Sequence, residues 1–522
     1  MNWIVIGEDK GAIKLVSKSG TPGLLPRGSF LTVENEKGKF ILRVDDSLQH
    51  EPYSPSPLVV DMDLSSLKQD QKCQNIIYAA RIKDLIERDD GLIDYIPPQS
   101  LARRSNQEEI DLAIGQTEDG PKIFLATVHS SQNQLLIDDE KRPITVKLPN
   151  EMFFHQILIC GKTGSGKTVA SKYLAQYFIE ELEGAVLAIN VKDVDFLKMD
   201  KKSTTSNKSI KNEWKILNKE PHGVSNYTIY FPANISISTA KGVSHDHCQS
   251  ITLNVKEIEP ESLTGLLRGI TDIAAQNLPN IFRYWQEKRK KENDNFTFGN
   301  FDEYFSNAER DNRTFRTMNS RGEESAELTL HSSTYSNILR NLITAQEFFD
   351  IPNAKSLDWE DILSHGKMSV INVAGQMGVE FGSILLRHLL HRIVEAKSFD
   401  DIDIPILVII DEVHQFYNTE SSKEALGDLD TICRTGRSQE IGVIFSSQNP
   451  QDIPRGLSSV INTKIFFKSD TSVAKQHGIK ISDEEIENLN KGFAATNIHN
   501  LTKVKFVKFP LSYSGVFEKD VK

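Results

Sequence analysis

The segment that most constrains this chain is a short apolar run followed by a glycine-rich loop. Ile157–Cys160 has the composition of a buried strand, and residues 161–168 read GKTGSGKT, which fits the phosphate-loop pattern G-x-x-x-x-G-K-[ST] at every fixed position. Glycines let such a loop turn tightly, so that its backbone N–H groups point at phosphate oxygens. Apolar residues then recur at helical spacing, and the N-terminus of that helix favours an anion. The pattern predicts a strand–loop–helix that binds a nucleoside triphosphate.

Two side chains of the loop are predicted to have direct roles. Lys167 is placed to reach the β- and γ-phosphates of ATP, and the Thr168 hydroxyl to ligate Mg²⁺. The alternative is a glycine-rich structural turn, which the strand before and the helix after make the weaker interpretation. The predicted ATP-binding residues are Gly161, Lys162, Thr163, Gly164, Ser165, Gly166, Lys167, Thr168 and Val169.

A second apolar run ends in two acids. Residues 406–410 read ILVII, and Asp411 and Glu412 follow directly. In a phosphate-loop ATPase the first acid of such a pair holds Mg²⁺, usually through water, and the second polarises the attacking water. We therefore predict Thr168 and Asp411 as Mg²⁺ ligands and Glu412 as the catalytic base. A solvated strand end is the alternative, and the phosphate loop upstream argues against it.

Downstream, an amide and two arginines are candidates for completing the site. Residues 441–447 read as a strand that closes on Gln448, which would sense the γ-phosphate or hold the attacking water. The helical segment before it carries Arg434 and Arg437. An arginine offered to a neighbouring subunit raises the rate by roughly 10³–10⁵-fold where it operates; the alternative is a salt bridge or a charge that complements the helix C-terminus. The predicted catalytic set is Lys167, Glu412, Gln448, Arg434 and Arg437.

The composition narrows the class of protein. A chain of 522 residues is too long for one core and is expected to hold two or three domains. No apolar run has the length of a membrane span, and the N-terminus reads as a strand and not as a signal peptide. The four cysteines lack C-x-x-C spacing, which argues against a zinc site and favours a reducing cytoplasm. The net charge of −11 argues against a basic surface overall, but not against a motor that is positive only along its channel.

The first hundred residues alternate apolar and polar side chains between frequent glycine-containing turns. Four short segments are predicted strands: residues 3–7, 12–16, 29–34 and 39–44. Strands at this spacing predict a small closed β-barrel. Apolar residues at helical spacing over 75–88 predict a helix within it, and the polar segment 99–109 reads as a linker.

The rest of the chain predicts an α/β protein. Short apolar strands alternate with helices, which is typical of a mostly parallel sheet covered on both faces. A long helical pattern between the two parts of this core is interpreted as a largely helical insertion. The predicted divisions are a barrel over 1–100, a linker with lead-in strands over 101–145, the ATPase core over 146–200 and 358–510, the insertion over 201–357 and a tail over 511–522.

Four motifs together resemble the HerA family of FtsK/VirB4-like hexameric ATPases, which translocate double-stranded DNA. They are the phosphate loop and the runs DEVH at 411–414, RTGR at 434–437 and SQNPQDIP at 447–454. Val413 stands where the family has Ala, and His414 is interpreted as a structural or coupling residue. The resemblance implies a RecA-like P-loop ATPase core and a barrel of the HAS-barrel type, shared with rotary ATP synthases. It does not extend to the insertion.

The resemblance also implies an assembly and partners. ATP would bind at the subunit interfaces of a homohexamer, with an arginine supplied by the adjacent subunit. Double-stranded DNA would pass through the central channel, held by its phosphates and without sequence preference. Family members work with a NurA-like nuclease, and bacterial relatives with Sir2-like or nuclease effectors in anti-phage defence, for which the barrel would be a docking face.

Two other functions are compatible with the same motifs. A VirB4-like motor for conjugation or secretion shares the ATPase residues but should associate with membrane machinery. A hexameric scaffold would use ATP binding to organise and activate a partner enzyme, with translocation secondary. DNA stimulation of the isolated ATPase favours the translocase, whereas stimulation only in the joint complex favours the scaffold.

Overall fold

The structure is a computed structural model that forms two compact units. The first contains Met1–Asn150 and Phe466–Phe509, and the second Glu151–Ile465 and Pro510–Lys522. The residues described are 3–9, 11–17, 24–50, 74–85, 94–129, 132–192, 195–234, 242–266, 272–292, 295–374, 378–398, 403–416, 423–453, 457, 459–469, 474–475, 478–479 and 481–518.

The first unit begins with the predicted closed barrel. Six antiparallel strands close in the order β1-β2-β5-β4-β3-β6. Apolar side chains alternate along these strands, so that Trp3, Val5, Leu15 and Leu42 fill the interior. The strands are β1 Trp3–Asp9, β2 Ala12–Ser17, β3 Phe30–Asn35, β4 Gly38–His50, β5 Gln74–Asp84 and β6 Leu101–Arg104.

Two local predictions for this region are wrong. The segment 75–88 is not a helix: its residues up to Asp84 form β5, which pairs with both β2 and β4, while residues 86–88 lie outside the described part. Short apolar runs fit either period, and the strand partners decide. The segment 99–109 is not a linker, because it contains β6, which closes the barrel, and the start of helix α1 (Gln107–Ile114).

The first unit also contains antiparallel strands outside the barrel. β7 pairs with β8, β9 and β21, and β21 pairs with β20. Residues 466–509 therefore belong with the barrel, and the predicted second part of the ATPase core, 358–510, extends too far. These elements are β7 Lys122–His129, β8 Gln132–Leu135, β9 Thr145–Lys147, β20 Phe493–Asn497, β21 Phe506–Lys508 and the short helix α10 Asp483–Glu487.

The second unit is built on the predicted parallel sheet. Its strand order is β13-β12-β16-β11-β17-β18-β10-β19, and the pairs from β13 to β10 are parallel. Every residue of β10, β11, β16, β17 and β18 is buried, as expected where helices cover both faces of a sheet. The strands are β10 Ile157–Cys160, β11 Ala185–Asn190, β12 Tyr227–Pro232, β13 Cys248–Ile251, β16 Met368–Asn372, β17 Ile406–Asp411, β18 Ile441–Ser447 and β19 Thr463–Phe466.

The segment 201–357 is not a largely helical insertion. It contributes β12 and β13 to the main sheet and contains an antiparallel hairpin, β14 Thr314–Met318 with β15 Glu324–Thr329. The long helical pattern that dominates the middle of the segment is only one of its elements. The helices of the second unit are α2 Lys167–Glu180, α3 Lys208–Ile216, α4 Asp272–Lys291, α5 Phe298–Asn307, α6 Ser332–Ala345, α7 Trp359–Ile362, α8 Gly378–Ser398 and α9 Lys423–Gln439.

The end of the chain is bound to the second unit. The Ser203 N–H donates to the Tyr513 carbonyl at 2.9 Å, and the Trp214 indole donates to the Leu511 carbonyl at 2.8 Å. Residues 511–518 are thus part of this unit's packing and not a free tail. Within the described ranges, no helix is both long and apolar enough to pass through a membrane.

Candidate nucleotide-binding site

Polar side chains meet at the carboxyl ends of four neighbouring strands. The phosphate loop follows β10, Gln448 follows β18, Asp411 and Glu412 end β17, and Lys192 follows β11. Because these strands are parallel and adjacent in the order β11-β17-β18-β10, their carboxyl ends share one edge of the sheet. Ligands of open α/β sheets bind at this edge.

The phosphate loop is held in shape by its own atoms. Gly164 and Gly166 have φ angles of 79° and 121°, which side-chain-bearing residues rarely adopt. The Lys167 ammonium donates to the Gly161 carbonyl at 2.5 Å, and the Ser165 hydroxyl to the Lys162 carbonyl at 2.7 Å. Burial lowers the pKa of Lys167, with the charge of Glu412 opposing this. The loop is therefore formed around a lysine whose ammonium would gain from an anion.

Glu412 has an unusual conformation at the centre of the site. Its backbone is left-handed, with φ 47° and ψ 56°, and the residue is 1% exposed. The carboxylate oxygen Oε1 accepts from Lys192 Nζ at 2.5 Å and from Gln448 Nε2 at 3.0 Å, whereas Oε2 has no hydrogen-bond partner among the described residues. Burial would raise the pKa of Glu412, but these hydrogen bonds and the charges of Lys192 and Lys167 outweigh it and lower the pKa. Such backbone strain is characteristic of functional residues.

Asp411 is suited to hold a cation. It is 3% exposed, and burial raises its pKa to about 6, although the Ser446 hydroxyl and then the charge of Lys192 oppose this shift. The oxygen Oδ2 is buried and makes no hydrogen bond within the described ranges. A buried carboxylate oxygen without a hydrogen bond fits the oxygen ligands that Mg²⁺ prefers. Asp411 therefore fits its predicted role as a Mg²⁺ ligand, and Thr168, the second residue of α2, would supply a hydroxyl oxygen.

Gln448 joins the acid strand to the phosphate loop. Its amide nitrogen donates to Glu412, and its carbonyl oxygen lies 3.4 Å from the Thr163 hydroxyl. Of the predicted site residues, the fold thus brings together Thr163, Lys167, Glu412 and Gln448 through hydrogen bonds and electrostatic contacts, with Asp411 beside them. One site can act on a phosphate group and a water molecule together.

Comparison with family models agrees with this geometry. The model described as the central domain of helicase HerA matches residues 134–393, and the model described as the helicase HerA-like C-terminal domain matches residues 315–480. The chain belongs to the HerA family. The resemblance inferred from the motifs is thereby confirmed.

Curated relatives carry the same family name. A DNA double-strand break repair helicase HerA of Sulfurisphaera tokodaii is 26% identical over 144 residues, which are 26% of this chain and 29% of that protein. A probable HerA helicase of Methanocaldococcus jannaschii is 26% identical over 193 residues, covering 31% of this chain and 38% of the relative. The matches thus span only about a third of each relative's length.

Two solved structures show a similarity below the level that bears on function. The conjugative coupling protein TrwB is 13% identical with a TM-score of 0.46, covering 79% of this chain and 92% of TrwB. VirB4 of Thermoanaerobacter pseudethanolicus is 13% identical with a TM-score of 0.43, covering 76% of this chain and 98% of VirB4.

The two arginines of this HerA-family chain lie on the surface of α9. Arg434 donates to Asp430 on the preceding turn at 2.8 Å, and its side chain is 58% exposed; Arg437, one turn further, is also exposed. Between them Gly436 allows close packing, since a Cβ there would lie 2.3 Å from the Ile441 carbonyl oxygen. An exposed position is compatible with either predicted role, the trans-acting arginine or the surface salt bridge.

Sequence reasoning missed Lys192 and the residue that holds it. Lys192 makes the shortest hydrogen bond to Glu412, and Asn190 binds the backbone carbonyl of Lys192 at 2.6 Å. The sequence position of Lys192 could have indicated this role, because polar residues that directly follow an apolar strand of this HerA-type sheet lie at the ligand-binding edge. The strand 185–190 was recognisable, but its carboxyl end carries no motif.

Proposed function

We propose that this chain is a Mg²⁺-dependent ATPase of the HerA type that translocates double-stranded DNA as a homohexamer, together with a partner nuclease or effector. The observation that carries the ATPase part is the convergence of Lys167, Asp411, Glu412 and Gln448 on one sheet edge beside a formed phosphate loop. Family membership supports the rest. The activity would be located in the cytoplasm, in keeping with free thiols at the described cysteines Cys160, Cys248 and Cys433.

The site residues have separate roles in the proposed hydrolysis. The phosphate loop and Lys167 bind the β- and γ-phosphates, and Gln448 and Glu412 orient the attacking water. The water oxygen forms a bond to the γ-phosphorus as the bond from phosphorus to the bridging oxygen breaks, and that oxygen stays with ADP. The proton of the water passes to the Glu412 carboxylate, which general-base catalysis requires to be ionised, and its lowered pKa keeps it so.

Thr168 and Asp411 would hold the magnesium ion. When bound, Mg²⁺ neutralises charge on the β- and γ-phosphates. A bound ion would give a partner to the buried oxygen Oδ2 of Asp411, which makes no hydrogen bond in the described part of the protein. A cation there would favour the ionised form of a carboxyl whose pKa burial raises to about 6.

Hexamer formation would complete the site. An exposed arginine on α9, either Arg434 or Arg437, would reach the ATP of the adjacent subunit and stabilise charge in the transition state. DNA in the central channel would be bound through its phosphates, which makes the affinity salt-dependent and independent of sequence. The barrel is the proposed docking face for a NurA-like nuclease or a Sir2-like or nuclease defence effector.

The test is an ATPase and assembly measurement on the full chain. Wild-type protein with Mg²⁺ should hydrolyse ATP faster when duplex DNA is added, and native mass spectrometry should detect hexamers. Lys167→Ala and Asp411→Asn should abolish turnover while hexamers persist. Absence of Mg²⁺-dependent hydrolysis, with and without DNA and a candidate partner, would refute the proposal; turnover that responds only to the partner and never to DNA would favour an ATP-gated scaffold over a translocase.

A further inference from the structure

Lys192 is a cation at the nucleotide site that lies outside the recognised motifs. It follows β11 by two residues, and β11 is the neighbour of the acid strand β17. Its ammonium lies 2.5 Å from Glu412 Oε1. The lysine side chain is 41% exposed and the glutamate side chain 2%, so a half-exposed cation contacts a buried carboxylate. The hydrogen bond between such partners is among the stronger ones in proteins.

The backbone that carries Lys192 is fixed by two buried asparagines. Asn190 Nδ2 donates to the Lys192 carbonyl at 2.6 Å and to Asn372 Oδ1 at 3.0 Å, while Asn190 Oδ1 accepts from the Phe196 N–H at 3.2 Å. Asn190 and Asn372 end the adjacent parallel strands β11 and β16, at the register where the two residues pair. Lys192 is thus placed by the sheet itself, which limits where its ammonium can reach.

The two carboxylate oxygens of Glu412 differ in their hydrogen bonds. Oε1 has two donors, Lys192 and Gln448, which approach from strands on either side of β17. Oε2 has no hydrogen bond among the described residues, and the imidazole Nδ1 of His414 lies 3.8 Å from it. A terminal carboxylate torsion is intrinsically broad, so donors on one oxygen are what select its orientation.

We propose that Lys192 is a positioning residue for ATP hydrolysis: together with Gln448 it holds Oε1 of Glu412, so that Oε2 is the oxygen that takes the proton of the attacking water. This inference rests on the proposed ATPase function. Lys167 has a separate task, because its ammonium is turned to the Gly161 carbonyl of the phosphate loop. Two lysines therefore serve one site, Lys167 on the side of the phosphates and Lys192 on the side of the base.

The proposal predicts that Lys192 acts only through Glu412, which a double-mutant cycle can test. Steady-state and single-turnover ATPase rates would be measured for wild type, Lys192→Met, Lys192→Arg, Glu412→Gln and the double variant Lys192→Met/Glu412→Gln, all as full chains with Mg²⁺ and duplex DNA. The matched control is Lys219→Met. It removes another Lys–Glu ion pair of the same unit, Lys219 with Glu181 at 2.7 Å, in which both side chains are 44% exposed.

The expected results are as follows for each variant. Lys192→Met lowers kcat by about 10- to 100-fold, the range for losing a hydrogen bond to a charged group, while KM for ATP changes less than about threefold. Lys192→Arg keeps the charge and the donors and loses about fivefold or less. In the Glu412→Gln background, Lys192→Met changes the rate less than about twofold, since no carboxylate base remains for Lys192 to position. Lys219→Met behaves as wild type.

Other outcomes would overturn the proposal in distinguishable ways. Equal losses from Lys192→Met in both backgrounds would mean that Lys192 acts on the phosphates directly or only on folding. A loss confined to KM would assign it to nucleotide binding, and unchanged kcat would give it no role. If wild type itself hydrolyses no ATP, the proposed function fails together with this inference; if wild type is active and the cycle is additive, only this inference fails.

Discussion

Two buried glutamates, one in each unit, have opposite surroundings. Glu109 at the base of the barrel and Glu412 in the parallel sheet are 3% and 1% exposed. Both contact a lysine, and the pKa of both is held below its ordinary value. They differ in how completely their oxygens are satisfied, and this difference separates a carboxylate that stabilises a fold from one that can do chemistry.

Both carboxylate oxygens of Glu109 accept hydrogen bonds from more than one donor. Oε1 accepts from Arg103 and Lys39, both at 2.6 Å. Oε2 accepts from Thr32 at 2.8 Å, Arg103 at 2.9 Å and the Asn106 N–H at 3.0 Å, the last as part of the capping box of α1. Burial would raise the pKa of Glu109, but these donors lower it to about 2. No lone pair is left for a substrate.

In the part of the chain that the structure describes, Glu412 has donors on one oxygen only, and its backbone is left-handed. An unsatisfied buried carboxylate oxygen costs free energy in the folded state, as does the strained backbone. The sheet core around it, with β17 and β18 fully buried, is large enough to hold this arrangement. Donors on a single oxygen, together with the left-handed backbone and the position at the carboxyl end of β17, therefore distinguish Glu412 from Glu109.

The largest expected effect comes from Glu412→Gln. Losing the base should lower ATP turnover by about 10³-fold, within the range for general acid–base catalysis. The free energy of unfolding should hardly change, because the amide oxygen can still accept from Lys192. Single-turnover hydrolysis and denaturant unfolding of the same preparation measure both quantities, and near-normal turnover would remove Glu412 from the mechanism.

The matched change Glu109→Gln should lower stability and leave the nucleotide site unaffected. It leaves Arg103 and Lys39 facing a neutral amide, so the free energy of unfolding of the barrel should fall by about 3 kcal/mol. ATP affinity of the remaining folded protein should stay at the wild-type value. Hydrogen exchange of the strands β3 and β4 reports the local loss; unchanged protection there would mean that the network contributes little.

Lowering the pH should reduce the contribution of Glu109 to the free energy of unfolding of the wild-type chain. The folded-state pKa of Glu109 is about 2, below its ordinary value of 4.5, so the folded state binds fewer protons and the stabilisation is fully present above about pH 4.5. It is lost as the pH falls toward 2, and at pH 3 the loss should reach about 2 kcal/mol. Denaturant unfolding of wild type and Glu109→Gln between pH 6 and 3 should therefore converge. Parallel curves would contradict the assignment.

Thr32→Val should have the smallest effect. It removes one of the donors on Glu109 Oε2 and keeps the shape of the side chain, so the free energy of unfolding should fall by about 1 kcal/mol. Because Arg103 and the Asn106 N–H still donate to the same oxygen, the decrease should be clearly smaller than that of Glu109→Gln. Similar losses for the two variants would show that the donors do not act as separate contributions.

Much of the fold and site was predictable because it depends on local patterns. The phosphate loop is a contiguous motif, and the acid pair follows a strand whose apolar run is unambiguous. The closed barrel was predictable from its first four strands. The helix over 75–88 was wrong because an eleven-residue strand with apolar residues on adjacent positions imitates helical spacing, and only the pairing partners β2 and β4 distinguish the two.

The sequence by itself determined where the phosphate-loop motif lies and which strand ends in acids, since these follow from contiguous spacing. Only the tertiary structure decided that residues 466–509 join the barrel unit, that Lys192 reaches Glu412 across 220 positions, and that one oxygen of Glu412 makes no hydrogen bond to any described residue. The physical reason is that strand order and side-chain pairing depend on contacts between distant segments, which no local pattern encodes.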